Sequence, residues 1–432
     1  MSLLYRNIYT IIIFILLLFS CSGHEDELTT EPVVSLSRPL EFESFSYGDT
    51  IIISATITHI KAIKGISISV TDEELKPLFP GKQIIPGTQE TVIESFLVVN
   101  NKYIEDGKHY LHLEVADADD VFNFWYPVSL LTLERSLEKV FIVTGSPTVN
   151  TLEMLTSQGT SETFFSWNSE YLGGYMDSRY RNFYTSGSLI DGIRSYSIDQ
   201  KELIWSVPAI VGGNLPYFTS FNASDGFVNA AVWKGYIDVY NQEGNKTFTS
   251  ISFPNGRFIK SLKTKSFVYS ILHSFDNQPQ KLVVFNYPAG NVYYSTDLNG
   301  TGLFISELED ENILILVTTD EETQAWQFNP LNKSLIYLHD VTDIRVDAVT
   351  GDDGNYFMAT ENVILWYRPQ IASTVNYLNI TNLQAMTYSK EDNGLFLAED
   401  GRISVYHLPA QVPENLYQSD QPVKDILILY NK

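Results

Sequence analysis

The sequence has 432 residues, with 28 lysines and arginines against 52 aspartates and glutamates, which gives a formal net charge of −24. This acidity argues against nucleic acid as a partner, because phosphate binding requires a surplus of basic side chains. A single cysteine excludes internal disulfides, CxxC redox sites and zinc sites built from several thiolates. The 26 tyrosines and 25 phenylalanines favour β structure, and a chain of this length predicts two or three domains.

The first residues have the features of a secretory signal peptide, which we predict for residues 1–20. Arg6 precedes an apolar run, residues 8–19, that is too short for a helix to cross a bilayer. The only cysteine, Cys21, directly follows Leu18-Phe19-Ser20. This arrangement resembles the lipobox of bacterial lipoproteins, which implies that the thiol of Cys21 is acylated and anchors the protein in a membrane. The alternative is a cysteine that stands by chance beside an ordinary cleavage site.

An acidic segment, residues 22–27, follows the cysteine within a predicted tether that covers residues 21–32. It resembles the surface-export signal of Bacteroidetes-type lipoproteins. The resemblance implies an outer-membrane protein that is lipid-anchored and exposed on the cell surface. The alternative is a solvated linker with no role in export.

Residues 33–135 alternate between apolar and polar positions in short segments, a pattern that predicts strands. The strand candidates are residues 50–57, 65–70, 108–115 and 122–126. About a hundred residues of this kind fit a β-sandwich of the immunoglobulin (Ig) type. Residues 107–120 resemble the closing hairpin of bacterial Ig-like or PKD-like domains.

Between residues 137 and 432 an aromatic residue recurs at intervals of 39–45 residues, each time in a short apolar segment. A period near 40–45 residues with about four strands per unit is the signature of a β-propeller. One period before the first instance lie residues 154–155, which predict a seventh unit. The chain is therefore predicted to be all-β, with a sandwich followed by a seven-bladed propeller. The recurring aromatic residues are Tyr196, Tyr240, Phe285, Phe328, Tyr367 and Tyr406.

The first of these units lacks a strand, whereas a surplus strand candidate, residues 423–430, follows the last one. Closure of the ring explains both, since the surplus strand would complete the first blade. The alternative is a pair of sandwiches with accidental spacing. We expect the recurring aromatic residues to pack between neighbouring blades rather than to bind a ligand.

The repeat region resembles quinoprotein-like and YVTN-like seven-bladed propellers in its period and in the turn Asp400-Gly401. It lacks the tryptophan-docking motif of blades that hold a quinone cofactor, so we expect no cofactor. It also lacks the signatures of WD repeats and of sialidases. The resemblance therefore concerns architecture alone.

The sequence contains no motif of a known catalytic site: there is no Gly-x-Ser-x-Gly elbow, phosphate-binding loop or His-Glu-x-x-His zinc motif. Asp117, Asp119 and Asp120 follow a predicted strand and are candidate calcium ligands. Their spacing differs from that of an EF-hand, and acidic turns are common. We therefore expect no metal site with defined ligands.

Acidic residues recur between the predicted second and third strands of the propeller units. If the units are assigned correctly, these turns form an acidic rim at one mouth of the central channel, which would attract cationic groups or a basic partner surface. The alternative is solubilising charge in ordinary turns. The rim residues are Asp276, Asp320, Glu321, Glu322, Glu361, Glu399 and Asp400.

Three functions remain open at this stage. The first is a non-enzymatic surface lipoprotein whose propeller binds a protein or polymer, as an accessory subunit of an outer-membrane uptake or secretion assembly. The second is a propeller hydrolase or lyase that acts on an extracellular polysaccharide, which would need paired carboxylates or a His/Tyr set in the channel. The third is a structural envelope component without a ligand.

Overall fold

The computed structural model describes residues 31–432, apart from residues 105, 190, 211–215, 225, 277, 309–310, 321, 344 and 353. The predicted signal peptide, Cys21 and most of the predicted tether lie outside the described residues. The chain divides into two compact units, one that ends at Glu134 and one that spans Arg135–Lys432. The described residues of both units form β-strands and loops, with a 3-10 turn at Pro369–Ile371.

The N-terminal unit is built from two sheets, one with the strand order β1-β3-β6 and one with the order β2-β8-β7-β4-β5. Strand β3 shows why they pack together: Ile51, Ile53 and Ile57 alternate with more exposed residues and are fully buried. The four strand candidates predicted here correspond to β3, β4, β7 and β8. The strands are β1 (Val33–Arg38), β2 (Ser44–Ser46), β3 (Thr50–Thr58), β4 (Gly65–Thr71), β5 (Lys82–Ile84), β6 (Glu90–Val98), β7 (Gly107–Ala116) and β8 (Val121–Leu131).

The C-terminal unit consists, in its described part, of four-stranded antiparallel sheets. Six sheets follow the chain strand by strand. They are formed by β12 (Gly173–Asp177), β13 (Asn182–Ser186), β14 (Ile193–Ser197) and β15 (Glu202–Val207); β16 (Phe218–Ser224), β17 (Phe227–Val232), β18 (Tyr236–Tyr240) and β19 (Lys246–Thr249); β20 (Gly256–Lys263), β21 (Phe267–Ser274), β22 (Lys281–Asn286) and β23 (Val292–Asp297); β24 (Thr301–Glu307), β25 (Ile313–Thr318), β26 (Thr323–Asn329) and β27 (Ser334–Thr342); β28 (Ala348–Asp352), β29 (Asn355–Ala359), β30 (Val363–Arg368) and β31 (Ser373–Asn379); and β32 (Leu383–Ser389), β33 (Gly394–Glu399), β34 (Arg402–His407) and β35 (Glu414–Gln418).

The seventh sheet joins two distant parts of the chain, as the prediction of ring closure requires. Strand β36 (Val423–Tyr430) pairs antiparallel with β9 (Leu137–Ser146), which is followed by β10 (Val149–Leu155) and β11 (Ser161–Asn168). The first strands of neighbouring sheets contact one another in the cyclic order β36, β12, β16, β20, β24, β28, β32 and back to β36. The seven sheets therefore form a closed ring.

The recurring aromatic residues pack in the cores between sheets, as predicted. Phe285, Phe328 and Tyr367 are fully buried, and each belongs to a different apolar cluster. Tyr240 and Tyr406 are also buried, with exposed fractions of 4% and 8%. Tyr196 is half-buried. In the described sheets, six of the seven third strands thus contribute one large ring to the stacking, whereas β10 contains no aromatic residue.

Candidate functional site

Two kinds of loop emerge at one edge of the ring, because the strands of each sheet alternate in direction. They are the turns between the second and third strands of a sheet and the loops that connect one sheet to the first strand of the next. We call this edge of the ring the acidic edge. Among the predicted rim residues, Asp320 and Glu361 lie in such turns and are exposed. Asp276 and Asp400 are also exposed there, and Glu322 is half-buried. Glu321 lies outside the described residues.

Glu399 departs from the predicted rim. It is the last residue of β33, its exposed fraction is 7%, and its Oε1 accepts a 3.0 Å hydrogen bond from the backbone N–H of Thr381. The carboxylate thus satisfies a backbone donor in the loop that leads to β32. Its role is structural, because a buried, hydrogen-bonded carboxylate offers little to a partner at the surface.

Other rim carboxylates are held by their neighbours. The Oγ of Ser274 donates to Asp276, which lowers the pKa of that carboxyl. Gln324 Nε2 donates a 2.6 Å hydrogen bond to Glu322 Oε1. The bond from Ser274 favours the ionised form of Asp276.

The sequence prediction missed the acids in the loops that lead from one sheet to the next. Asp343, Asp347 and Asp420 lie in these loops, at the same edge as the predicted turns. The same repeat spacing could have identified them, because the fourth strand of each unit returns the chain to this edge. The acids in the described loops of the acidic edge are Glu170, Asp191, Asp276, Asp320, Glu322, Asp343, Asp347, Glu361, Asp400 and Asp420, and the bases are Lys234 and Arg345.

The described loops of the opposite edge are more evenly charged. Their acids are Asp199, Glu243, Glu311, Glu391 and Asp392, and their bases are Arg179, Arg181, Lys201, Lys265, Lys333 and Lys390. Negative charge in the described loops is therefore segregated to one edge of the ring rather than spread evenly over both.

The central channel is lined by the first strands of the sheets. A cavity of about 400 Å³ lies against β16 and β20, and a second of about 440 Å³ lies against β28, β32 and β36. Leu172 and Val349 line both, so the two cavities open on the same channel. Cavities of this size are in the range of small-molecule sites.

Two lysines line these cavities. Lys260 belongs to the first cavity and Lys424 to the second. Burial lowers the pKa of both amines. The Nζ of Lys424 donates to Asn150 Oδ1 and to the carbonyl oxygen of Ser146, both uncharged partners.

The second cavity also contains a buried acid. Asp425 Oδ2 accepts a 2.6 Å hydrogen bond from the hydroxyl of Tyr171, and Asp425 Oδ1 accepts one from the backbone N–H of Ile426. Burial raises the pKa of Asp425 to about 6 and raises that of Tyr171 well above its ordinary value. Asp425 is the one acid among the described residues that line the two cavities, so the paired carboxylates of a glycosidase are not found there.

The predicted calcium ligands lie in the N-terminal unit and are used for other contacts. Asp117 Oδ1 accepts hydrogen bonds from the backbone N–H groups of Asp119 and Asp120, and its Oδ2 is 2.8 Å from His59 Nε2. Asp119 is paired with Lys61 at 3.0 Å. Within the described part of the chain, no group of three or more acidic, histidine or cysteine side chains is placed to hold a metal ion.

Several solved structures resemble the chain. The β-propeller domain of Cps50 (Swd1) from Myceliophteria thermophila is 10% identical over 62% of this chain and 93% of its own, with a TM-score of 0.49. A quinoprotein alcohol dehydrogenase-like protein from Bacteroides thetaiotaomicron is 11% identical over 94% of this chain and 98% of its own, with a TM-score of 0.43. The chain is thus an all-β protein with β-propellers among its structural neighbours, and likenesses this distant carry no function.

No protein-family model matches the sequence, and no curated protein is significantly similar to it. In the part of the chain that the structure describes, no helix has the length and apolar character needed to cross a membrane.

Proposed function

We propose that the protein is a non-enzymatic, lipid-anchored protein of the outer membrane that binds a partner protein through the acidic edge of its ring. The observation that carries this proposal is the distribution of charge among the described loops: acids dominate those of one edge, and those of the opposite edge carry acids and bases in similar number. An array of negatively charged side chains favours a positively charged partner surface and accelerates the association with it. The partner surface is therefore basic.

The architecture suits this role. We infer that the seven sheets are the blades of a seven-bladed propeller, which would present its loops on a rigid ring. The sheets β1-β3-β6 and β2-β8-β7-β4-β5 support an Ig-like assignment for the N-terminal unit, since two sheets whose strands pair antiparallel, apart from the parallel pair β2 and β8, form such sandwiches. In chain order this unit would separate the acylated Cys21 from the propeller.

The partner that we propose is a subunit of an outer-membrane uptake or secretion assembly. The experiment is an affinity capture of the tagged lipoprotein from solubilised outer membranes. Wild type is compared with the double variant Asp320→Asn/Glu361→Gln, in which both changed residues are exposed at the acidic edge. The matched control is Glu202→Gln/Glu243→Gln, which removes the same charge from exposed positions at the opposite edge.

We expect a stoichiometric partner with wild type and with the control. The acidic-edge variant should bind it about tenfold more weakly at low salt, with a smaller dependence on salt, because rim charges act mainly on the association rate. Equal recovery by both variants would contradict the role of the acidic edge. If the lipoprotein captures no other protein but is retained on a polysaccharide column, its partner is a glycan and not a protein.

A further inference from the structure

The first channel cavity contains a cation without a counter-ion. Lys260 lies on β20 and lines the cavity of about 400 Å³. Among the described residues, no acidic group forms an ion pair or hydrogen bond with its amine. The side chain of Lys260 is exposed rather than buried, so its amine is accessible to a ligand in the cavity. An accessible amine with no acidic partner among the described residues suits an anion from outside the chain.

The strand that carries Lys260 is joined to its neighbour by a polar seam. Thr219 Oγ1 donates a 2.9 Å hydrogen bond to the carbonyl oxygen of Phe258, and Asn222 Nδ2 donates one of 2.9 Å to the carbonyl oxygen of Ser261. These bonds hold β16 and β20 together beside the cavity. They also fix the position from which the lysine extends.

The same seam contains buried polar atoms that lack partners within the described part of the chain. The hydroxyl oxygens of Ser220 and Ser261 make no hydrogen bond, although both residues line the cavity and are 8% and 4% exposed. Asn229, which is opposite Asn222 in the sheet and fully buried, has neither its amide nitrogen nor its oxygen paired. Unsatisfied buried groups are costly, and they are commonly satisfied by water or by a ligand.

The rest of the cavity wall mixes apolar and polar side chains. Phe221, Ile259 and Phe304 line it together with Lys260, and Thr219 and Asn222 add polar groups. A site that combines apolar side chains, polar groups and one amine suits an organic ion. Because the amine of Lys260 is positively charged, the ligand should be negatively charged. The cavity volume limits it to a small molecule.

We propose that the channel binds a small organic anion, whose carboxylate pairs with Lys260 and whose body packs against the apolar side chains of the cavity beside the seam between β16 and β20. The cation of this site belongs to a strand, β20, and not to a loop of the acidic edge. This site is independent of the partner surface at the acidic edge. Either proposal can fail without the other.

The test uses glucuronate as the probe and glucose as its uncharged counterpart, measured by titration calorimetry on the full chain. Glucuronate should bind wild type saturably and glucose should not. Lys260→Met should weaken glucuronate binding at least tenfold, and Lys260→Arg should retain most of it because the charge is kept. Lys234→Met, which removes a lysine from a loop of the acidic edge, should bind as wild type does.

A second measurement keeps the proposal testable if Lys260→Met does not fold. Wild type is treated with a limiting amount of an amine-acylating reagent, and the modified lysines are mapped by mass spectrometry. Saturating glucuronate should reduce modification of Lys260 several-fold and leave Lys234 unchanged. Any of three results would overturn the proposal. Glucose and glucuronate could bind equally well, folded Lys260→Met could bind glucuronate with the affinity of wild type, or glucuronate could leave the acylation of Lys260 unchanged.

Discussion

Lys260 and Asp425 occupy equivalent positions in β20 and β36, the first strands of two sheets of the ring. Each directly follows a β-bulge, where the register of pairing with the next strand shifts by one residue. The bulged residues are Ile259 in β20 and Lys424 in β36. Burial lowers the pKa of Lys260 and raises that of Asp425, so it disfavours the charge of both. The position after the bulge therefore disfavours a charge of either sign, although Lys260 is exposed and Asp425 is half-buried.

Asp425 makes the stability of the ring depend on pH. Its folded pKa of about 6 lies above the ordinary value of 3.8, so the folded state retains a proton that the unfolded state has already lost. Stability therefore falls as the pH rises from about 4 to about 6 and stays lower above that range. Asp425→Asn should be more stable than wild type at pH 7 by about 1–3 kcal/mol and similar to it at pH 4.

Urea unfolding at a series of pH values measures this difference. Asp320→Asn, which changes an exposed acid, is the control and should leave the pH profile unaltered. The prediction fails if Asp425→Asn is less stable than wild type at pH 7. That result would mean that the bond from Tyr171 to a charged carboxylate outweighs the cost of its burial.

The closing strand should be required for the stability of the whole ring. Leu429 is fully buried in β36, where it packs in a core that also contains Phe141 of β9. Leu429→Ala should lower the free energy of unfolding by about 2–5 kcal/mol, the usual cost of such a cavity. Leu331→Ala, at a position that is 86% exposed, should change it by less than about 0.5 kcal/mol.

Deletion of residues 421–432 is the stronger form of the same test. Without β36 the seventh sheet loses its first strand, and the cyclic contacts with β12 and β32 are interrupted. The melting temperature of the C-terminal unit should fall sharply. A melting curve like that of wild type would contradict closure by this strand.

The buried contact between His59 and Asp117 predicts acid sensitivity in the N-terminal unit. The His59 ring and two backbone N–H groups hold the pKa of Asp117 well below its usual range. Because the folded pKa is depressed, this contribution to stability is present above the unfolded pKa of about 4 and is lost as the pH falls below it.

Asp117→Asn should therefore destabilise the N-terminal unit at neutral pH, by an amount that shrinks below pH 4. Hydrogen exchange of peptides from β3 and β7 reports on this unit within the intact chain. Asp119→Asn, whose carboxylate is largely exposed, is the control and should exchange as wild type does. An Asp117→Asn deficit that is the same at pH 3 and pH 7 would argue against a role of the carboxylate's charge.

The predicted lipid anchor is tested by Cys21→Ala. The variant cannot be acylated at this position, so we expect it in the soluble fraction after cell fractionation, whereas wild type should remain with the outer membrane. Wild type treated with a protease from outside intact cells also tests surface exposure. Retention of Cys21→Ala in the membrane would refute the anchor.

The ring could be predicted from the sequence because its evidence is local and repeated. The aromatic residues of six third strands, such as Phe285, recur with a nearly constant period, and each lies within its own apolar segment. Closure could also be predicted, because a missing strand and a surplus strand are both visible in the pattern. Hydrophobic periodicity reports such features directly.

The channel site could not be predicted in the same way. Lys260 reaches the cavity because β20 has a bulge at Ile259 and because β16 packs beside it. Neither the bulge nor the neighbouring sheet is visible in the residues around Lys260. Glu399 was misassigned for a related reason, since its partner Thr381 belongs to a loop whose proximity only the folded ring establishes.

The pairing of β36 with β9 also affects the order in which the ring can form during synthesis. Lys424 and Asn150 are hydrogen-bonded, yet 274 residues separate them in the chain. At about 5–20 residues per second, a ribosome needs on the order of tens of seconds to make that interval. During this time β9 has no partner along one side, and a bare strand edge is a template for aggregation. Each newly made molecule therefore exposes that edge until β36 is available to pair with it.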